Sequence, residues 1–152
     1  MEWTIEERHW DDPDGAALRA RQRTELNARY GRDDHEPGTP PSAADIDVFL
    51  VAVARSGEAV GCGALRQLSA ATAEIKRMYV DPVARGSGVA TALLRTLETV
   101  AAGLGWRTLR LETGNLQPEA ERFYRREGYR EIPLFGGYVG SDLSICFERT
   151  LS

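Results

Sequence analysis

The chain of 152 residues is long enough to bury a full core, and its 42% hydrophobic and 28% charged residues are typical of one globular domain. The net charge of -4 and the pI of about 5.3 disfavour nucleic-acid binding, which usually needs a strongly basic surface. The charged N-terminus does not resemble a signal peptide and no stretch approaches the ~20 apolar residues of a membrane span, so we expect one cytoplasmic domain over residues 1–152.

A strand, a helix and a loop are predicted at the start of the chain. Residues 2–9 alternate apolar and polar side chains, which is typical of a strand. An Asp-Pro pair at residues 12–13 is a strong helix start, and Gly31 is a strong helix end. One helix or a pair of helices is therefore expected between them. Glycine and prolines in residues 32–44 then predict a mobile loop.

An antiparallel meander of three strands is predicted next. Residues 47–54 form a nearly unbroken apolar run, which is typical of a strand buried on both faces. Turn signals separate this run from residues 59–68, and a further turn leads to residues 74–80. Gly61 and Gly63 lie inside the second strand, where we expect another element to pack closely.

The second half of the chain predicts alternating helices and strands. Apolar residues from Val89 to Leu104 recur with helical spacing, so a long amphipathic helix follows Gly88. A strand–helix–strand order around it implies at least one parallel strand pair in a mixed sheet. The remaining predictions are a strand, a short helix, a strand, a loop and a last strand, at residues 106–112, 118–127, 129–132, 133–141 and 143–148.

The most informative segment is the twelve-residue run from Tyr79 to Ala90, where a strand meets a glycine-rich turn and then a helix. Gly86 and Gly88 carry no Cβ atom, so the backbone can come close to a ligand. The helix start adds unpaired N–H groups and the positive end of a dipole, which together favour a phosphate or pyrophosphate. The third glycine of a Rossmann fingerprint and the Gly-Lys-Ser/Thr of a Walker A loop are both missing from this segment.

Two motifs in this half occur together in the expected order. The first motif is Arg85-x-x-Gly88-x-Ala90, and the second joins Asn115 to Ala120 with Phe123-Tyr124 and Gly128-Tyr129. Together they resemble the motifs of the GNAT superfamily of acyl-CoA-dependent N-acetyltransferases. The tail from Phe135 to Phe147 resembles a bacterial subgroup of small, mostly uncharacterised members. The resemblance covers roughly residues 47–151. It implies an α/β fold with a mixed, mostly antiparallel sheet of six to seven strands and about four flanking helices.

The resemblance also implies the cofactor and how the chain holds it. Acetyl-CoA would donate its acetyl group directly to a primary amine of a small molecule or amino acid. A backbone N–H near Met78 would stabilise the thioester oxyanion. Instead of binding the cofactor, Arg85 could serve in a surface salt bridge and Asn115 could serve as a turn residue. The implied cofactor-binding residues are Met78, Tyr79, Val80, Arg85, Gly86, Ser87, Gly88, Val89, Ala90, Asn115, Ala120 and Tyr124.

Two proton transfers need catalytic side chains. An ammonium group has a pKa of roughly 10, so a base must remove a proton before the amine attacks. Glu74 is the first candidate because Ala73-Glu74-Ile75 resembles family members with a catalytic glutamate there, and Glu112 is its rival. Tyr124 matches the family tyrosine that protonates the departing thiolate, although a core role is the alternative.

Other features of the sequence narrow the function further. Cys62 and Cys146 show no CxxC spacing and are expected to be buried and reduced, and with only two histidines no metal site is expected. The acceptor is expected between the helix from 13 to 31 and the loops 32–44 and 133–141. Five arginines there suggest an acidic acceptor or simply a solvated face: Arg19, Arg21, Arg23, Arg29 and Arg32. A non-catalytic CoA-binding or protein-interaction module is the alternative function, and monomer and homodimer both stay open.

Overall fold

A computed structural model describes residues 2–152, which form one seven-stranded sheet with helices on its faces. The strand order is β1-β2-β3-β4-β5-β7-β6, and only β4 and β5 are parallel. The predicted mixed, mostly antiparallel sheet is therefore confirmed. The strands are β1 Trp3–Glu7, β2 Val48–Ala54, β3 Ala59–Gln67, β4 Thr72–Val80, β5 Thr108–Gly114, β6 Arg130–Ile132 and β7 Ser144–Thr150.

Three α-helices, rather than about four, flank the sheet: α1 Pro13–Tyr30, α2 Val89–Gly103 and α3 Pro118–Arg126. The first helix is single because both of its ends are capped. The Asp12 carboxylate accepts the Gly15 amide at 3.1 Å, and Gly31 takes a left-handed conformation with φ of 71°. The two other helical segments are single 3₁₀ turns, Pro82–Ala84 and Gly136–Tyr138.

Two apolar clusters hold the layers together, one on each face of β2. The larger contains Leu50 of β2 and Leu93 and Leu97 of α2, all at most 2% exposed. The smaller joins Leu18 of α1 to Phe49 of β2. Because successive side chains of a strand point to opposite faces, the unbroken apolar run of β2 serves both clusters at once.

The predicted close approach at the glycines of β3 is confirmed. A Cβ atom on Gly61 would lie 3.0 Å from the side chains of Val89 and Leu93, so α2 packs directly on the backbone there. A Cβ atom on Gly63 would lie 2.6 Å from the Met78 sulfur. Neither position has room for a side chain unless its neighbours move.

β4 contains a β-bulge just beyond the point where its pairing with β5 ends. Cys62 pairs with Tyr79 but Ala64 pairs with Lys76, which leaves one extra residue on β4. Arg77 accommodates the irregularity with a φ of +57°, which is uncommon for a residue other than glycine. The parallel pairing of β4 with β5 covers only Thr72 to Glu74, and beyond Glu74 the two strands diverge.

Both cysteines are buried and form no disulfide, as predicted. Burial raises the pKa of the Cys62 thiol to about 12 and that of the Cys146 thiol to about 11, so both stay protonated near neutral pH. Among residues 2–152, no helix is both long and apolar enough to cross a membrane.

Candidate active site

A long cleft of about 600 Å³ runs along the end of β4, beyond the last residue of β4 that pairs with β5. Side chains of α1 and α3 form its walls, and the turn before α2 closes one end. The cleft brings together ten of the twelve predicted cofactor-binding residues: Met78, Tyr79, Val80, Arg85, Gly86, Gly88, Val89, Ala90, Ala120 and Tyr124. The other two, Ser87 and Asn115, do not line it.

The backbone amides at the start of α2 are largely available to a ligand. Those of Gly86, Gly88, Val89 and Ala90 donate to no acceptor within the part of the chain that the structure describes. The Arg85 and Ser87 amides are engaged internally, at 3.3 Å from the carbonyl oxygens of Pro82 and Ala84. Of the implied cofactor-binding residues from 85 to 90, four therefore have a backbone amide that is available to a ligand.

The two glycines of this turn are required by backbone conformation. Gly86 and Gly88 have φ of 78° and 95°, a left-handed region that side chains disfavour. A Cβ atom on Gly86 would meet nothing within 4 Å. Both glycines line the cleft, so the sharp turn places their backbone at its surface. The Ser87 hydroxyl supports it by donating to the Ala84 carbonyl oxygen at 2.5 Å.

Arg85 makes the alternative contact predicted for it, a salt bridge. Its Nη2 lies 2.8 Å from the Glu25 carboxylate, and its Nε donates to the Val80 carbonyl oxygen at 2.9 Å. These bonds hold α1 against the turn while the side chain still lines the cleft. A contact between Arg85 and a phosphate stays a prediction.

An inner pocket of about 90 Å³ adjoins the long cleft. Glu112 and Thr113 of β5, Lys76 and Arg77 of β4 and residues of the loop after α1 line it. Six residues line both spaces, so the two spaces share a wall: Gln22, Leu26, Met78, Gln117, Ala120 and Tyr124. A reaction between ligands in the two spaces would take place at this wall.

Glu112 of β5 and Glu36 of the loop after α1 are two carboxylates that line the inner pocket. Burial raises the pKa of Glu112 to about 7, with smaller upward contributions from the charges of Glu36 and Glu74. The Ser144 hydroxyl, which donates to Glu112 Oε2 at 2.6 Å, and the Lys76 ammonium both lower the pKa. A pKa near 7 suits a group that must accept and then release a proton at neutral pH.

Glu74, the first candidate for the base, does not line either space. It is 1% exposed, and its carboxylate is occupied by Arg66 at 3.0 Å and by the Tyr138 hydroxyl at 2.5 Å. Lys76 lies 3.6 Å away on the same strand. Glu74 is therefore not a free carboxylate, because hydrogen-bond donors surround it. We propose Glu112 as the base instead.

Tyr124 projects from α3 into the wall shared by the two spaces. Burial raises the pKa of its phenol above the ordinary value, so the hydroxyl keeps its proton. Its ring packs edge-on against Phe123 and Tyr129. Among residues 2–152 the hydroxyl has no hydrogen-bond partner, so it can donate to a ligand in the cleft.

Gln22 of α1 is a site residue that sequence reasoning missed. Its Nε2 donates to the Met78 carbonyl oxygen at 2.9 Å, which fixes the orientation of the amide because a carbonyl can only accept. Its Oε1 is buried and receives no donor from the described residues. An unpaired buried acceptor is costly, so the wall fits a ligand that carries an N–H or O–H group. No sequence signal marks this glutamine.

A charge network at the edge of the inner pocket was missed as well. Lys76 Nζ lies 2.9 Å from Glu36 and 2.8 Å from the Tyr138 hydroxyl, and Arg77 Nη1 lies 2.6 Å from Glu36. Burial opposes ionisation of Glu36, but the two cations hold the pKa of its carboxyl below the usual value. The network ties the loop of residues 32–44 to β4.

Other predicted residues lie outside the inner pocket. Asn115 Nδ2 approaches the Asp142 carbonyl oxygen at 3.5 Å, which fits the alternative of a turn residue. None of the five arginines that suggested an acidic acceptor lines the inner pocket. Arg21 pairs with Asp81 at 2.6 Å, and Arg19 stacks over the Trp10 ring at 3.6 Å. The arrangement of these arginines therefore gives no support for an acidic acceptor.

Comparisons with known proteins agree on one family. The sequence model of the acetyltransferase (GNAT) family matches residues 5–129. The chain is 37% identical to an IAA acetyltransferase of Azospirillum brasilense over 109 residues, which cover 71% of each chain. A crystal structure from Klebsiella pneumoniae, of a protein assigned to the acyl-CoA N-acyltransferases, superimposes with a TM-score of 0.84 and 33% identity over 99% of this chain and 98% of that one. The fold is also that of an Elizabethkingia anophelis GNAT acetyltransferase with acetyl-CoA bound, at a TM-score of 0.72 and 19% identity over 98% of each chain.

Proposed function

The chain belongs to the GNAT family of acetyltransferases, and on that premise we propose that it transfers an acetyl group from acetyl-CoA to a primary amine of a small molecule. One observation carries the proposal. The cleft between β4 and α3 is lined by the turn with free amides before α2, and it shares a wall with a pocket that contains a carboxylate of pKa about 7. This arrangement suits two ligands that meet at the wall.

The residues present fit coenzyme A. Gly86, Gly88, Val89 and Ala90 have free amides and line a cleft of about 600 Å³, at the positive end of a 15-residue helix. Such a helix start binds a pyrophosphate without any particular side chain. Gln22 Oε1 offers a buried acceptor at the wall. When bound, the coenzyme supplies the activated acetyl thioester.

Glu112 acts as the general base in this proposal. Its carboxylate lies in the inner pocket, where the acceptor enters as an ammonium ion, and it removes one proton to expose the lone pair of the amine. The small volume of about 90 Å³ favours the narrow end of an unbranched primary amine over a bulky nitrogen centre. The bulge at Met78 is the place for oxyanion stabilisation, which stays a prediction.

Tyr124 acts as the general acid. Its protonated hydroxyl lies at the shared wall and can donate to a thiolate that forms there. The amine nitrogen loses its second proton as the tetrahedral adduct collapses, and this proton restores the Tyr124 hydroxyl after Tyr124 has protonated the thiolate. In sum, one proton of the original ammonium ends on the thiol and the other on Glu112.

Acetyl transfer proceeds without an acetylated enzyme in this proposal, because the chain offers no suitable thiol. Cys62 and Cys146 are both 0% exposed, line neither space and carry thiols of raised pKa. A thiolate is the nucleophilic form of cysteine, and these sites suppress it. Both substrates must therefore be bound together.

The proposal is tested by incubating the protein with acetyl-CoA and a panel of small amines while free thiol is measured. We expect thiol release that depends on both substrates and that yields one N-acetylated product per thiol. Calorimetry with coenzyme A supplies a second readout. Coenzyme binding without acetyl transfer to any amine or protein lysine would favour a non-catalytic module, and absence of both signals would refute the enzymatic proposal.

Replacing Tyr124 by phenylalanine should lower kcat by about 10-fold or more, because general-acid assistance is worth ~10²–10⁴-fold. The ring keeps its packing against Phe123 and Tyr129, so the melting temperature and the Kd for coenzyme A should change little. Steady-state kinetics with saturating amine and calorimetry measure the two effects. A variant that turns over at the wild-type rate would remove Tyr124 from the mechanism.

A further inference from the structure

The inner pocket poses a problem of proton release. Acetylation of an ammonium substrate frees one proton in each turnover, and in the proposed function Glu112 receives it. Glu112 lines a pocket of about 90 Å³ that shares six lining residues with the long cleft that substrates enter. Substrates or products bound in these spaces would obstruct the route from Glu112 to bulk water through the cleft. A second route would let Glu112 lose the proton while they are bound.

Two serine hydroxyls connect Glu112 to a separate outer groove. Ser144, the first residue of β7, donates to Glu112 Oε2 at 2.6 Å. The Ser144 and Ser141 hydroxyl oxygens are 2.8 Å apart. Ser141 lines the outer groove, a space of about 440 Å³ between the loop after α1 and the residues 137–143. The three oxygens thus lead from the base to a groove that shares no lining residue with the cleft.

Local bonds hold both hydroxyls in position for this connection. The Leu143 amide donates to the Ser141 Oγ at 3.2 Å, which leaves the Ser141 proton to point outward or toward Ser144. β7 pairs with β5 through Glu112 and Cys146, so the strand pairing itself sets the distance from Ser144 to the carboxylate. A hydroxyl both donates and accepts, and it can therefore pass a proton on without a net change.

We propose that Ser144 and Ser141 form a proton relay from Glu112 to the outer groove. The Ser144 hydroxyl donates to the charged Glu112 carboxylate, and once Glu112 is protonated the hydroxyl turns to donate to Ser141 Oγ. The Glu112 carboxyl then gives its proton to Ser144 Oγ, while Ser144 gives its own proton to Ser141 Oγ. Ser141 in turn gives its proton to a water molecule in the groove. One O–H bond breaks and one forms at each serine, so both end neutral and Glu112 regains its charge. The relay rests on the proposed function, because it carries the proton that amine acetylation produces.

Other polar groups around Glu112 are worse suited to carry this proton. From β4, the Lys76 ammonium already donates to Glu36 and Tyr138, and the Glu74 carboxylate is enclosed by Arg66 and Tyr138. Glu36, from the loop after α1, is held ionised by two cations. His35 lines both the inner pocket and the outer groove, but its Nε2 is engaged with Asn27 Oδ1 at 3.0 Å. The two serines are uncharged and are joined to Glu112 by a chain of hydrogen bonds that ends at the outer groove.

The test compares proton release with acetyl transfer in a single turnover. Protein and both substrates are mixed in weakly buffered solution with a pH indicator, and free thiol is followed in parallel. In the wild type, proton and thiol should appear together. In Ser141→Ala, we expect the proton to lag behind the thiol by about 10-fold, and kcat to show a larger solvent deuterium isotope effect. Ser141→Thr keeps the hydroxyl and should restore wild-type behaviour.

The pH profile separates the relay from a merely structural role. Ser141 does not touch Glu112, so Ser141→Ala should leave the apparent pKa of kcat/KM unchanged. Ser144→Ala removes a bond to the carboxylate and should raise that pKa as well as delay the proton. Proton release that keeps pace with thiol in a folded Ser141→Ala protein would overturn the relay. No thiol release in the wild type would instead refute the proposed function.

Discussion

Replacing Glu112 by glutamine should lower kcat/KM by about 10²–10⁴-fold, the range attributed to a positioned base. In the wild type, kcat/KM should fall as the pH drops below about 7, because protonation of Glu112 removes the base. Glutamine cannot ionise, so the variant should lose this limb of the pH profile. Steady-state kinetics across the pH range, with the best amine of the panel, measure both effects.

The same substitution should stabilise the fold in mildly alkaline solution. The pKa of Glu112 is about 7 in the folded protein against an ordinary 4.5, so ionisation disfavours the folded state and stability is lost as the pH rises through this interval. Glutamine avoids that cost and should raise the free energy of unfolding above pH 7 by about 1–3 kcal/mol. Urea unfolding with and without the substitution measures the difference.

Glu74→Gln is the matched control for this prediction. It changes the first-predicted base in the same conservative way, but it breaks an enclosed contact with Arg66 and Tyr138. We expect lower stability and a pH limb that persists with only a small shift to lower pH, because Glu74 touches neither space and its charge makes a minor contribution to the raised pKa of Glu112. If Glu74→Gln abolished the limb while Glu112→Gln preserved it, the assignment of the base would be reversed.

Replacing Ala90 by glutamate should weaken coenzyme A binding by about 100-fold or more, since one buried like-charge contact costs several kcal/mol. Ala90 lies in the first turn of α2 and lines the cleft, so the carboxylate would occupy the place intended for a phosphate. A glutamate in a first helical turn is itself favourable for the helix. Calorimetry with coenzyme A measures the loss, and the melting temperature should hold or rise.

Ala90→Gln separates charge from bulk in this experiment. Glutamine fills nearly the same volume, so it should reduce coenzyme affinity much less than glutamate, and the difference should shrink as salt is added. Position 90 is a better probe than position 88. Gly88 has φ of 95°, so any side chain there strains the turn. A loss of coenzyme binding in such a variant could therefore come from misfolding rather than from charge. Equal affinity of the glutamate variant and the wild type would exclude a phosphate from this helix start.

The sequence alone determined the order of the strands and helices, because local patterns carry that information. The Asp-Pro start and Gly31 end delimit α1, and the apolar run of β2 indicates burial on both faces. Gly86 and Gly88 marked the turn before α2, since their conformation is a local property of the chain. The family resemblance added Tyr124, which lines both spaces of the site.

Only the tertiary structure decided which groups meet at the site, because their positions depend on pairings far apart in sequence. In the sequence, Glu74 and Glu112 are both carboxylates in predicted strands and cannot be told apart. In the structure, Arg66 and Tyr138 bind the Glu74 carboxylate, whereas Glu112 lines the inner pocket. The bulge at Arg77 follows the last residue of β4 that pairs with β5. Burial, which raises the pKa of Glu112, is a property of the packed chain and has no local signature.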